Sequence, residues 1–461
     1  MNEPTSRIEE YLAQAPTPKE HIHPKLGALL GDDSGATAFV SGEGTVLTDA
    51  EGNRYLDLIG GGGTTFLGRN HPRVTRACRD LLEMDLPNLS IVNASLLGGQ
   101  VAGMILEHTN GQMGKVIYAN SGTESTDVMI RFSRFVTKRR RFLYLEGGFH
   151  GRSFGAISVC GIPELREGQE PFMPECTAIK PNDLRALRRE LKQGDVAGFI
   201  IEPVQRLTGL ALDRGYMREA EILCRQAGVL LLADESHSGL GRTGHWFRTT
   251  GLGIRPDMMS VSSILSGGAV PVAAVMMTDK VYNDVYTSLT SGPIYFSTFA
   301  ENNLAMTASM TTLEVLDELD APTLAAQRSE QLRTRLTEIA GKYDVIDHLG
   351  GDGLLLSIHF GDSIALAEAG IDVPDSQAFA AAIANELYSV HRVAMQLAGP
   401  NINALIALPP VTITDDEMVW FTNAVESVLA DLYAGQGNVA ATISAIVGSE
   451  KATGILPIPQ A

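Results

Sequence analysis

Basic residues are scarce in this 461-residue chain: 36 Lys and Arg stand against 54 Asp and Glu, a formal net charge of -18. Nucleic-acid binding needs a basic surface, so that class of function is disfavoured. Cysteine is scarcer still. Cys78, Cys160, Cys176 and Cys224 are scattered, without a CxxC pair or histidines at ligand spacing, which argues against a metal module. They read as reduced, mostly buried side chains. No apolar run approaches the ~18 residues of a membrane span. The opening MNEPTSRIEEYLAQ is polar and acidic, unlike a secretory signal, so a cytoplasmic protein is expected. There is no internal repeat.

With 44% hydrophobic and 20% charged residues the chain is not disordered. Its length calls for a large domain with a lesser companion. Prolines at 16, 18 and 24 break a polar start, and GTVLTDAEGNRYLDL (44–58) alternates around Glu51-Gly52-Asn53 as a hairpin would. Residues 1–61 are therefore read as an arm and hairpin. Over 62–310, short apolar runs alternate with helical stretches: KVIYAN, RFLYLEG, VAGFIIEP, VLLLADE, DMMSVSS and VPVAAVMM. That pattern predicts an α/β domain on a mainly parallel sheet covered on both faces. From 311 a long amphipathic helix leads into a smaller C-terminal α/β domain ending at 435. Its strands are LLLSIHF, VAMQL and NALIALP. The tail 436–461 is expected to drape over the surface.

Ligands of such sheets sit beyond the carboxyl ends of the strands, so the turns there are the candidate site. Asn120-Ser121-Gly122-Thr123-Glu124 opens a helix after a strand, an arrangement suited to phosphate or simply an ordinary cap. Phe149-His150-Gly151-Arg152 offers a ring that could stack on a heterocycle or merely pack. Asp234 ends an apolar run, where a carboxylate is costly without a positive partner; a protonated pyridine nitrogen is one candidate, a turn cap the alternative. Pro256-Asp257 through Gly267-Gly268 is a strand running into a glycine turn.

Together these motifs resemble class III aminotransferases, pyridoxal-phosphate enzymes of fold type I that include ω-amino acid and dialkylglycine-type members. The likeness spans about residues 30–435, through NSGTE, FHGR, GFIIEPVQ, ADE…GLGRTG, PDMMSV…LSGG, STF…N and LPPVTIT in order. It implies a phosphate held by Ser121, Gly122 and Thr123, a ring stacked on Phe149 in the turn that carries His150, and Asp234 on the pyridinium nitrogen. It further implies Glu202 near the ring hydroxyl and Thr298 reaching the phosphate of a second subunit in a homodimer.

Three departures stand out. Where the family has its Schiff-base lysine, 29 residues after Asp234, this chain has Ser263. A serine can neither form an imine nor act as a good base, so impaired catalysis is expected. Ser263 is either an engineered trap, the preferred reading, or a natural divergence. The bound species would be pyridoxal 5'-phosphate, its amine form or a trapped external aldimine. Second, Leu207 and Ile406 occupy the positions of a glutamate–arginine pair that grips an α-carboxylate in many members. Losing both leaves no charge stranded and predicts an apolar Leu207–Ile406 wall, with Arg206 the obvious replacement cation. Third, His237 takes the usual glutamine position, as in the DEAHS turn of α-oxoamine synthases, and is assigned to the ring oxygen. The expected activity is amino transfer between a carbonyl acceptor and an amine without a clamped α-carboxylate, such as a polyamine or amino sugar. Decarboxylating transamination, acyl transfer and a non-catalytic cofactor-binding protein are the alternatives.

Overall fold

The computed structural model describes residues 39–88, 95–287, 295–371, 373–374, 377–444 and 446. Its centre is a seven-stranded sheet. In chain order the strands are β4 (Lys115–Ala119), β5 (Arg141–Leu145), β6 (Cys176–Ile179), β7 (Val196–Ile201), β8 (Leu230–Asp234), β9 (Met258–Val261) and β10 (Ala273–Met277), arranged β4-β10-β9-β8-β7-β5-β6. Every pairing from β9 through β6 is parallel, and β10 runs against both its neighbours. All residues of β5 and β7 are buried, so alternation sorts side chains between two covered faces. Phe142 and Tyr144 pack with Val128, Met129 and Phe132 of the Gly122–Thr137 helix. Leu143 and Leu145 pack with Tyr216, Met217 and Ala220 of the Arg214–Ala227 helix. The edge strand β6 carries little apolar pattern and is absent from the sequence expectation.

The amino-terminal hairpin forms as expected, with Asp49 Oδ1 accepting from the Glu51 and Asn53 N–H groups at 2.9 and 2.8 Å. It is not a separate appendage. Its strands β1 (Phe39–Glu43), β2 (Val46–Asp49) and β3 (Arg54–Asp57) continue into β13 (Val393–Ala394) from the C-terminal region. The expected strand VAMQL is thus split, since β14 (Gln396–Leu397) joins a different sheet of order β11-β12-β15-β14. Here β11 is Ile346–Asp352, β12 Leu355–Phe360 and β15 Ala404–Ala407.

The single long helix expected after 310 is two, Asn303–Glu318 and Ala321–Ala340. Asp320 takes a left-handed φ of 46° at the break and Pro322 opens the second helix, because proline supplies no N–H to continue the first. The final helix, Asp415–Tyr433, begins in a capping box between Thr414 and Glu417. Beyond it, the helical residues 439–444 bury Val439 and Ile443 in the core, so this part of the tail packs rather than drapes. Residues 447–461 lie outside the described residues. All four cysteines are free; Cys160 and Cys224 are buried. Among the described residues no helix is long and apolar enough to cross a membrane.

Candidate active site

Six strands, β4 to β9, point the same way and end at one edge of the large sheet, and most of the sequence-predicted residues lie in the turns there. Ser121 caps the 16-residue helix that follows β4, its Oγ accepting from Glu124 N at 3.2 Å. The first-turn N–H groups of Gly122 and Thr123 have no acceptor within the helix, which makes this end attractive to an anion. Two buried serines close beneath it. A Cβ on Gly122 would lie 3.2 Å from Ser236 Oγ and 3.3 Å from Ser262 Oγ, so a glycine is what lets these hydroxyls approach. Ser236 Oγ is buried without a hydrogen-bond partner.

The turn after β5 locks onto this one. Gly151 has φ 119°, and a side chain there would fall 2.1 Å from Thr123 Oγ1, which accepts from Arg152 N at 3.2 Å. Phe149, half-buried in the same turn, donates its N–H to Glu202 Oε2 at 2.8 Å. His150 was expected among the pocket-lining residues. Its side chain is fully buried, with Nδ1 2.9 Å from Asp234 Oδ2.

Asp234 also accepts from Ser236 N and Ser260 Oγ, both at 3.1 Å. Burial works against its charge, but the His150 contact and the Ser236 bond outweigh it and hold the carboxyl below its ordinary value. The carboxylate is therefore kept ionised at the end of an apolar strand. Glu202, one strand over, goes the other way: burial pushes it up to about 7, reinforced by the Asp234 charge and opposed by His150. Two carboxyls with opposed proton affinities in one pocket can hold a charge and move a proton, respectively.

His237 lies between Asp234 and two cations. Burial first, then Arg206 and Arg242, push its imidazole well below its ordinary value, so it is neutral at pH 7. Arg242 is fully buried, donating to the carbonyls of Gly63, Leu354 and Pro409 and lying 4.6 Å from the Phe66 ring centroid. Ser263 is half-buried at the start of a short 3-10 turn after β9, its carbonyl accepting from Ser266 Oγ and Gly268 N at 3.1 and 3.2 Å. Thr298 is exposed, in a stretch tied to the phosphate turn by the 2.7 Å bond from Asn120 Nδ2 to Ser297 Oγ.

The expected Leu207–Ile406 wall does not form. Leu207 packs with Ile157, Cys160 and Ile162, whereas Ile406 packs with Val204, Leu355 and Leu408. The two positions face different apolar clusters because Ile406 lies on a buried strand of the small sheet. Arg206 does reach the site, donating from Nη1 to Gln396 Oε1 at 2.9 Å. Sequence reasoning missed Ser236, Ser260 and Gln396. The first two were visible as hydroxyls beside motif residues; Gln396 had no local signal.

Every lysine among the described residues, Lys115, Lys138, Lys180, Lys192, Lys280 and Lys342, is exposed. Lys280 lies at the far edge of the sheet, because β10 is reversed and its last residue, Met277, pairs with Lys115 and Met258 at the starts of β4 and β9.

Comparison with known proteins agrees with this geometry. The family model for class-III aminotransferases matches residues 31–429. The chain is 35% identical to the acetylornithine aminotransferase of Methanopyrus kandleri over 324 residues, 70% of this chain and 80% of that one. It is 29% identical to aminotransferase PigE of Serratia sp. over 367 residues, covering 78% of this chain but only 43% of PigE. The ornithine aminotransferase structure from Toxoplasma gondii shares the fold, with a TM-score of 0.78 at 24% identity over 93% of this chain and 98% of that one. Resting on the family match along most of its length, the chain belongs to the class III aminotransferases.

Proposed function

We propose that the protein binds pyridoxal 5'-phosphate without a covalent link and that its fold is built to move an amino group between an amine and a carbonyl compound. The observation that carries this is the gathering, at one sheet edge, of the open helix start at Gly122, the Phe149 ring and an ionised Asp234 backed by His150. These residues fit the cofactor: backbone N–H groups of Gly122 and Thr123 for its phosphate, an aromatic face for its ring, and a carboxylate for its ring nitrogen. When bound, the cofactor supplies an electron sink for a carbanion at the substrate carbon.

The chain's own residues do the rest. Asp234 holds the proton on the ring nitrogen, and neutral His237 is placed for the ring oxygen. Glu202, with a pKa of about 7, can give or take a proton beside them. Ser263 offers no amine, so amino transfer by the chain as it stands is slow or stalls. Whether Ser263 is an engineered replacement or a natural one, the pocket retains its means of holding the cofactor. A homodimer follows from the same reading, with Thr298 directed at a second copy; Phe296 and Phe299 beside it are exposed at 62% and 60%, apolar surface suited to cover. The donor is an amine without an α-carboxylate held in the usual place, and the location cytoplasmic.

Equilibrium dialysis with pyridoxal phosphate, followed by borohydride reduction and mass measurement of the chain, tests this. Reversible uptake with no covalent adduct is expected. An adduct on any lysine, Lys280 included, or no uptake at all, sinks the proposal.

A further inference from the structure

Arg141, Arg248, Arg242 and Arg206 carry guanidinium groups that are wholly or largely buried in this fold, and the first two are ion-paired. Arg141 pairs with Glu190 and Asp195, each at 2.8 Å. Arg248 pairs with Asp352 at 2.7 Å and donates to the carbonyls of Pro203 and Leu212 at 3.1 and 3.3 Å. Arg242 has three carbonyl acceptors and the Phe66 face, although its Nε is buried without a partner. Arg206 has the fewest acceptors of the four. Its guanidinium has a neutral acceptor, Gln396 Oε1, and its Nε is buried with no partner. Among the described residues it forms no ion pair. The adjacent carboxyl is turned elsewhere, since Glu202 accepts from the Arg206 backbone N–H at 3.3 Å and from Phe149 N.

A guanidinium taken out of water without a counter-charge is costly. This one stands beside Glu202 and near enough to His237 for its charge to depress the imidazole. It is also oriented from outside its own loop, because Gln396 belongs to β14 of the small sheet. A cation held by one neutral side-chain acceptor, beside Glu202, suits an anionic ligand.

We infer that Arg206, oriented by Gln396, is the anchor for a substrate carboxylate in this pocket; the inference rests on the aminotransferase reading above. The planar fork of a single arginine matches a planar, singly charged carboxylate through two parallel bonds. The usual clamp positions, Leu207 and Ile406, are apolar and buried in separate clusters. The anchor is therefore displaced, and a carboxylate held from Arg206 enters from the side of the small sheet. The substrate class is an amine or carbonyl compound bearing a carboxylate, with neutral amines bound more weakly in the same half-reaction.

The test is calorimetric titration of the native protein, loaded with pyridoxal phosphate, with acetate, succinate and 2-oxoglutarate, using acetamide and succinamide as neutral counterparts. Arg206→Gln should weaken carboxylate binding about 10- to 100-fold, the usual value of bonds to a charged group, and leave the amides unchanged. Arg206→Lys keeps the charge but not the fork and should recover only part of the affinity. Gln396→Ala should give a smaller loss in the same direction. If Arg206→Gln does not fold, the Arg206→Lys and Gln396→Ala pair decides alone. Equal carboxylate affinity in native and variant proteins overturns the inference, as does a native protein that binds amides as well as acids or binds no carboxylate. Failure to load with pyridoxal phosphate is a failure of the functional reading instead; the carboxylate titration of the cofactor-free protein then still reports on Arg206.

Discussion

At the carboxyl edge of the large sheet, Asp234, Glu202, His150 and His237 are enclosed together, and the proton affinities of Asp234, Glu202 and His237 are pulled apart by burial and by neighbouring charges. At the opposite edge the charges are ordinary. Lys115 meets Asp279 at 3.1 Å and Lys280 meets Asp284, both lysines being exposed. The same strands run between the two edges, so the difference arises from what covers them. Buried charge occurs at both edges, Arg141 with Glu190 at the start of β5 being one case, but where the parallel strands end Asp234, Glu202 and His237 cluster together, as titratable groups do where chemistry is done.

Restoring an amine to the enclosed edge should give the largest effect. Ser263→Lys is expected to raise amino transfer by about 10²–10⁴-fold over the native chain, the usual contribution of a placed acid–base group. Single-turnover measurements over a panel of amines would read it; an inert Ser263→Lys protein beside an active native one would mean that the site works by another route. Next is Asp234→Asn, which removes a charge but keeps shape and should weaken pyridoxal phosphate binding by roughly 10- to 100-fold in dialysis. Unchanged affinity would mean the ring nitrogen lies elsewhere.

Glu202 sharpens the contrast through pH. Its pKa is raised in the folded protein, so the native state holds a proton that the unfolded chain has released. Stability therefore falls as pH rises from the ordinary carboxyl range towards about 7. Denaturant melts of Glu202→Gln against native should show the variant gaining by up to about 3 kcal/mol across that window, and no gain below it. A constant difference at all pH values would place Glu202 in water. The smallest effect belongs to the open edge: Lys280→Ala should change stability by less than about 0.5 kcal/mol and leave cofactor binding unaltered.

Much of the frame was legible in the chain. Runs such as VAGFII and RFLYL are apolar on consecutive residues, which requires cover on both faces, and they became β7 and β5. The turns at 120–124, 149–152 and 234–237 were found because glycine, small hydroxyls and a lone aspartate are out of place in packing alone. The break at Asp320 was missed although Pro322 marked it, because the amphipathic pattern continues across the gap. Strand β6 was missed because an edge strand has one neighbour and little need for apolar alternation.

By itself the sequence determined the layered α/β architecture and the family, since each depends on residue type and spacing along the chain. Tertiary structure alone decided which groups meet. His150 met Asp234 because the β5 and β8 ends are brought together across the intervening strand β7. Leu207 and Ile406 separated into different clusters, and Arg206 met Gln396, 190 positions away. Contacts between residues so distant in sequence are set by how sheets and loops pack, and no local pattern encodes them.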